Sequence, residues 1–292
     1  MNLALGIDLG GSKLLACVAD ETGRLVAQAR RTTGRATSPD VALRLITDAA
    51  TELGQVAGPF RAVGVGFPGQ TDFASGMAHA SVMLDGWCEV PLAQRVGEAL
   101  GISCVVDNDV NMAAVAELAQ RADVVPHSML FVAVGTGIGG AITIGDRVWR
   151  GFSGVAGEIG NVTIDRYGEE CWCGRRGCLN TSASGAAIER ALGTGLPLSE
   201  QARAGHARLE AVMEEAAVAL GTGIADALNL LNPELVVLGG GVAQLGEGFL
   251  ESVARTARAE AFPEAGRCRF ERARSGYEAG AIGAALLALR PR

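Results

Sequence analysis

Two segments far apart in the chain follow one plan. Leu5–Val18 and Val132–Ile144 each run apolar strand, glycine turn, apolar strand. The first turn holds Gly10-Gly11, and the second is built from Gly135-Thr136-Gly137-Ile138-Gly139-Gly140. Self-similarity of this kind points to a duplicated unit, so we expect two lobes that each open with a glycine-tipped hairpin. Strand patterns over Leu3–Leu9, Leu14–Ala19, Ala62–Gly66 and Ser103–Val106 alternate with helical patterns over Pro39–Val56 and Val110–Arg121. Ser38 stands ready to cap the first helix ahead of Pro39. This is an α/β chain with mixed sheets, and its 292 residues, 49% hydrophobic, suffice for two modest cores.

The turns carry chemistry. In Gly6-Ile7-Asp8-Leu9-Gly10-Gly11-Ser12-Lys13 an acid ends a strand and a hydroxyl and an ammonium follow the glycines. Gly10 and Gly11 let backbone N–H groups approach phosphate oxygens, Ser12 can donate to them, and Lys13 offsets their charge. Asp8 suits Mg²⁺ held through water, since that ion sheds its hydration shell reluctantly. A lone glycine pair is usually an ordinary hairpin turn, but Gly135, Thr136, Gly137 and Gly139 supply a second loop, and Gly240 and Gly241 follow a third strand pattern, Leu235–Leu238. None of the three matches the Walker or the dinucleotide-binding pattern.

Val105-Val106-Asp107-Asn108-Asp109-Val110-Asn111 leads from a strand into a helix. Any of Asp107, Asn108 and Asp109 can cap that helix; Asp109 is our candidate general base, orienting a hydroxyl and accepting its proton late in phosphoryl transfer. A net charge of −7, with Lys13 the one lysine among 25 basic residues, argues against nucleic acid as a partner. No apolar run has the length of a signal peptide or a membrane span, so a cytoplasmic location is expected. Of seven cysteines, Cys171, Cys173 and Cys178 crowd together. They are either three ligands of a tetrahedral Zn²⁺ site or reduced thiols in a metal-free loop.

Together, Gly6–Lys13, Asn108-Asp109-Val110-Asn111, Gly135–Gly140, Gly157-Glu158-Ile159-Gly160, the cysteine cluster and the ending Gly280-Ala281-Ile282-Gly283-Ala284-Ala285 resemble the ROK family of sugar kinases and sugar-responsive repressors, over nearly the whole chain. The resemblance implies an actin-like ATPase (ribonuclease H-like) fold with two lobes and an interlobe active-site cleft. It places the first lobe at 1–117, with a terminal helix at 277–292 packing back on it, and the second at 118–276. It implies ATP and Mg²⁺, transfer of the γ-phosphate to a sugar hydroxyl, commonly the 6-hydroxyl, structural zinc on the three cysteines, and a homodimer. Asp109 matches the family's base, Asn108 and Glu158 match sugar-binding residues, and Gly69 lies in a loop, Gly66-Phe67-Pro68-Gly69, that lines the same pocket.

The chain departs from the pattern on the sugar side. Asn161 stands where the family has a histidine that touches the sugar and ligates zinc, Asn180 where it has a glutamate, and Met83 where it has an asparagine, while Trp87 is kept. Asn161 and Asn180 are therefore expected in an altered substrate site, one that rejects ligands leaving its polar groups unmatched. A hexose-like substrate such as the amino sugar kanosamine is expected; a C7 cyclitol, or sugar sensing without catalysis, is the alternative. A repressor of this family carries a helix-turn-helix ahead of the first strand, whereas only Met1 and Asn2 precede Leu3. A non-catalytic scaffold or chaperone ATPase would not need Asn108, Glu158 or the cysteine loop.

Overall fold

β1 (Leu3–Leu9) and β2 (Lys13–Asp20) pair antiparallel across the Gly10-Gly11 turn, with Leu9 opposite Leu14. The computed structural model, which describes residues 2–245 and 247–290, builds its first unit on this hairpin. That unit takes in the chain up to Val125, Asp146–Ala156, and the chain from Arg274 onward. β3 (Leu25–Thr32) extends the hairpin on one side; β4 (Ala62–Phe67) and β8 (Ser103–Asn108) continue it in parallel on the other, giving the order β3-β2-β1-β4-β8. A small antiparallel sheet joins β5 (Gln70–Asp72), β6 (Met77–Ala80) and β7 (Cys88–Val90). β1 and β4 are almost continuously buried, as strands covered on both faces are.

One cover is α1 (Pro39–Ala57), which starts as expected at Ser38, whose Oγ accepts the Val41 N–H; its Ala42, Ile46, Ala49 and Leu53 enter the core with Leu5 and Val63. The other is α9 (Ala279–Leu289), which packs on β1, β4 and α3 (Asp109–Ala119). Its small residues bring helix and sheet to backbone contact: a Cβ on Gly6 would collide with the Ala281 carbonyl, and one on Gly64 with that of Ala284. α2 (Leu92–Leu100) leads into β8, and β11 (Arg147–Trp149) also belongs to this unit.

The second unit comprises Pro126–Gly145 and Gly157–Ala273. β9 (Ser128–Val134) and β10 (Ile138–Ile144) pair antiparallel; β12 (Leu235–Gly239) runs parallel beside β9, and β13 (Arg269–Arg272) parallel beside β12. The internal echo is thus a repeated topology: a hairpin whose first strand takes a parallel neighbour on its free edge. α7 (Leu209–Leu231) sends Leu220, Ile224 and Leu228 into a core with Val236 and Leu238, and α8 (Glu247–Glu260) packs along it. α4 (Leu179–Ala183), α5 (Gly185–Leu192) and α6 (Leu198–Ala204) precede α7. Among the described residues no helix is long and apolar enough to cross a membrane.

Candidate active site

In the first unit the β1–β2 turn is tied from both sides. The Gly10 N–H donates to the Lys13 carbonyl at 2.8 Å, and the Thr33 hydroxyl donates to the Gly10 carbonyl at 2.7 Å. Asp8 lies beneath the turn, where a Cβ on Gly280 would be 3.0 Å from its Oδ2, so the start of α9 meets the carboxylate. Burial pushes Asp8 from the usual 3.8 up to about 6, and the Lys13 charge pulls back only part of that. The Lys13 ammonium sits 3.5 Å from the ring centroid of Tyr277, a cation–π contact. Met83 packs against the turn, its Cε 3.1 Å from where a Gly11 Cβ would be.

The polar run after β8 is sorted by its surroundings. Asp107 is buried and held from three directions: Asn108 N–H at 2.8 Å, Asn111 Nδ2 at 2.9 Å, and Arg150, whose Nη2 reaches it at 2.6 Å. The Arg150 guanidinium in turn lies 3.7 Å from the centroid of Phe73. Asn108 is the N-cap of α3, its Oδ1 accepting Val110 N–H at 2.9 Å and Asn111 N–H at 3.2 Å, while its Nδ2 donates to the Gly69 carbonyl at 3.3 Å. Asp109 opens the helix half-buried, with Oδ1 accepting Val110 N–H at 2.9 Å. Of the three, Asp107 is spent on the Arg150 ion pair and Asn108 on the cap, while Asp109 occupies the first position of α3. Trp87 is a core residue, its Nε1 donating to the Thr37 carbonyl at 2.9 Å and its ring 4.8 Å from that of Phe67.

In the second unit the β9–β10 turn closes with Gly135 N–H donating to the Gly137 carbonyl at 2.9 Å. The first amides of α5 also hold this loop: Gly185 N–H reaches the Gly135 carbonyl at 2.7 Å and Ala186 N–H that of Thr136 at 3.3 Å. Because β12 lies beside β9, Gly240 (φ 87°) abuts the Val134 carbonyl, which brings the second and third glycine clusters together, with Gly241 next and Gly139 behind in β10. The segment Gly157–Gly160 is clamped on β10: side chains at Gly157 and Gly160 would collide with the Gly140 and Ile138 carbonyls.

Glu158 precedes a single 3₁₀ turn, Ile159–Asn161. Glu158 is exposed at the surface of its unit, but the protein around it partly desolvates the carboxylate and raises its pKa, while a hydrogen bond from Asn161 Nδ2 at 3.0 Å lowers it. Asn161 Oδ1 accepts from Asn180 Nδ2 at 3.3 Å, and the buried Asn180 Oδ1 accepts the Ile138 N–H at 2.7 Å. The two amides that replace the family's histidine and glutamate are therefore bonded to each other and to the hairpin.

The Cys171, Cys173 and Cys178 sulfurs lie within 4.8 Å of one another, with Cys173 and Cys178 at 3.5 Å. Sulfurs at ~2.3 Å from a tetrahedral Zn²⁺ stand about 3.8 Å apart, so the three fit one face of such a site. Burial pushes the Cys173 thiol up, but hydrogen bonds from the Arg175 amide, from Cys178 and Cys171, and from the Arg175 side chain bring it down to about 7. Arg175 also donates to the Asn161 carbonyl, joining the cysteine loop to the Glu158 turn. Asn161 itself, committed to Glu158 and Asn180, is not aimed at the sulfurs as a fourth ligand.

Reading the sequence alone missed Thr33, Tyr277, Arg150 and the Ile138 N–H. Only Tyr277, one of two tyrosines, carried any signal.

The fold and these two sets of residues define a class, the actin-like ATPases. The model of the ROK family matches residues 4–291. N-acetylmannosamine kinase of Yersinia pseudotuberculosis is 34% identical over 99% of this chain and 99% of its own, and glucokinase of Halalkalibacterium halodurans is 30% identical over 96% and 92%. The crystal structure of a ROK family glucokinase from Streptomyces griseus, in complex with glucose and AMPPNP, superposes with a TM-score of 0.83 at 31% identity, covering 98% of this chain and 99% of that one. The chain belongs to the ROK family, among its ATP-dependent sugar kinases.

Proposed function

We propose that this kinase transfers the γ-phosphate of ATP to the 6-hydroxyl of a hexose or hexose-like substrate, an amino sugar such as kanosamine being within the class. The observation that carries this reading is the sorting of the polar run after β8. Asp107 is ion-paired and buried and Asn108 caps α3, and Asp109, half-buried at the first position of that helix, is assigned to receive the hydroxyl proton. Asn108 and Glu158 are assigned to the sugar hydroxyls. Asp8 would hold Mg²⁺ through water, and Gly10, Gly11, Ser12, Lys13, Gly135, Thr136, Gly137, Gly139, Gly240 and Gly241 would surround the phosphates. When bound, Mg²⁺ neutralises charge that develops on the phosphoryl oxygens. The three cysteines would hold a structural zinc that braces the loop carrying Arg175, without touching substrate.

Relatives are named for glucose and N-acetylmannosamine, which sets the start of the panel. ADP release with Mg-ATP is measured over glucose, mannose, fructose, N-acetylated hexosamines, free amino sugars and cyclitols, with Asp109→Asn as the blank. One compound should give turnover that Asp109→Asn lowers by about 10²–10⁴-fold while nucleotide affinity holds, the range a general base contributes. Near-native turnover of Asp109→Asn would remove that residue from the role.

A further inference from the structure

Four side-chain and backbone groups, joined by three hydrogen bonds, form an unbroken line of donors and acceptors. Ile138 N–H, in the first position of β10, donates to Asn180 Oδ1 at 2.7 Å; Asn180 Nδ2 donates to Asn161 Oδ1 at 3.3 Å; Asn161 Nδ2 donates to Glu158 Oε2 at 3.0 Å. Each amide is oriented by the bond before it. The Ile138 N–H accepts nothing, so it fixes Asn180 with oxygen toward the hairpin and nitrogen toward Asn161. That nitrogen fixes Asn161 with its own nitrogen toward the carboxylate. The path is short and stiff, because Gly160 presses on the Ile138 carbonyl and a Cβ there would lie 2.5 Å from Asn180 Nδ2. Asn161 is held from its backbone too, through Arg175.

We propose that Asn161 and Asn180 are positioning residues: an amide relay running from the β9–β10 phosphate hairpin fixes the orientation and the ionised form of Glu158, the sugar-binding carboxylate. This rests on the assignment of Glu158 to the sugar made above. Glu158 Oε2 is committed to Asn161, and under this relay Oε1 would be the acceptor offered to substrate. A substrate is then selected by where it places its donors, hydroxyl or amino, and the two asparagines act on that choice without touching it. The relay also gives the hairpin that is assigned to the phosphates a direct hold on the group assigned to the sugar.

Glu158 is exposed, and two influences act on its charge among the described residues: partial desolvation by the protein around it raises the pKa, and the Asn161 hydrogen bond lowers it. Losing the Asn161 amide removes the lowering influence, so the carboxylate protonates at higher pH. The test is kcat/KM for the sugar against pH in the wild type, Asn161→Leu, which keeps the shape but no hydrogen bond, and Asn161→His, which restores a donor. In Asn161→Leu the acidic limb moves to higher pH and the sugar KM rises about tenfold, the scale of one hydrogen bond to a charged group, with the ATP KM unchanged. Asn161→His recovers much of both. Asn180→Leu, with Ile138 left without its acceptor, moves the same limb in the same direction, and a thermal melt separates any general loss of stability. A wild-type acidic limb and sugar KM in folded Asn161→Leu overturn the relay. Absence of sugar phosphorylation in the wild type instead overturns the assignment of the reaction, so the two failures are distinct.

Discussion

Glu117 has no solvent exposure, yet its carboxylate gathers more partners than any group in the site. It accepts the Arg274 N–H at 3.0 Å, the Ser275 N–H at 2.9 Å and the Ser275 hydroxyl at 2.6 Å, and Arg121 Nη2 lies 2.7 Å away. One side chain of α3 thus holds the segment that leads into Tyr277 and α9, and through them the neighbours of Lys13 and Asp8. Glu117→Leu keeps the volume and removes every acceptor. Breaking a buried ion pair from one side costs about 3–5 kcal/mol, and a buried amide left without an acceptor about 1–3 kcal/mol. These losses overlap, and we expect about 3–5 kcal/mol in all. At roughly 2–4 °C per kcal/mol that lowers Tm by about 6 to 20 °C. Calorimetry of Glu117→Leu, Arg121→Met and the double variant separates the parts. The double variant removes the charge mismatch but not the orphaned amides, so it should recover part of the loss and stop about 2–3 kcal/mol short of wild type. A double variant as stable as wild type would mean that the carboxylate serves Arg121 alone and does not hold the Arg274-Ser275 segment.

Asp8 gives a pH prediction. Its folded pKa is raised from 3.8 to about 6, so between those values the folded state holds a proton the unfolded state has lost, and stability falls as pH rises through that window. The loss is complete above about pH 6 and amounts to roughly 3 kcal/mol at 1.36 kcal/mol per unit; nucleotide-free Asp8→Asn should melt higher at pH 7 and lack this slope, and equal slopes in both proteins would refute it. Cys173→Ser should abolish the zinc that elemental analysis finds in the wild type, and a wild type without zinc would establish the loop as metal-free. Tyr277→Leu should raise the ATP KM about 2–5-fold, as loss of a partly exposed cation–π contact predicts, with Tyr277→Phe unchanged; equal effects from both would locate the role in the hydroxyl instead.

The hairpins were legible because their signals are local. An apolar run and a glycine turn act within a dozen residues, and the strands of both hairpins, β1, β2, β9 and β10, flank the glycine turns as those patterns predict. The start of α1 was legible for the same reason, since Ser38 and Pro39 are neighbours of the helix they begin. The polar run after β8 was not, because Asp107, Asn108 and Asp109 are equivalent as caps and the arbiter is Arg150, 43 residues from Asp107. That guanidinium claims Asp107, Asn108 takes the cap, and Asp109 stands half-buried at the first helical position. Tyr277 over Lys13 and Glu117 under Ser275 are likewise long-range, and beyond the rarity of tyrosine no pattern along the chain announces them.

Asn161 and Asn180 show how a pair of departures can be one change. Read singly, each looks like a rewritten substrate contact, an amide where the family has an imidazole or a carboxylate. Bonded to each other, they form a neutral pair in which donor and acceptor alternate from Ile138 to Glu158. Restoring only a glutamate at 180 would set a second carboxylate, almost fully buried, beside Asn161 Oδ1, acceptor facing acceptor, and the Asn161 amide would gain by turning its nitrogen away from Glu158. Restoring only a histidine at 161 keeps a donor for Glu158 but asks Asn180 Nδ2 to find an acceptor on the ring. A lone glutamate at 180 therefore disturbs the proposed relay more than a lone histidine at 161, which keeps the hydrogen bond to Glu158.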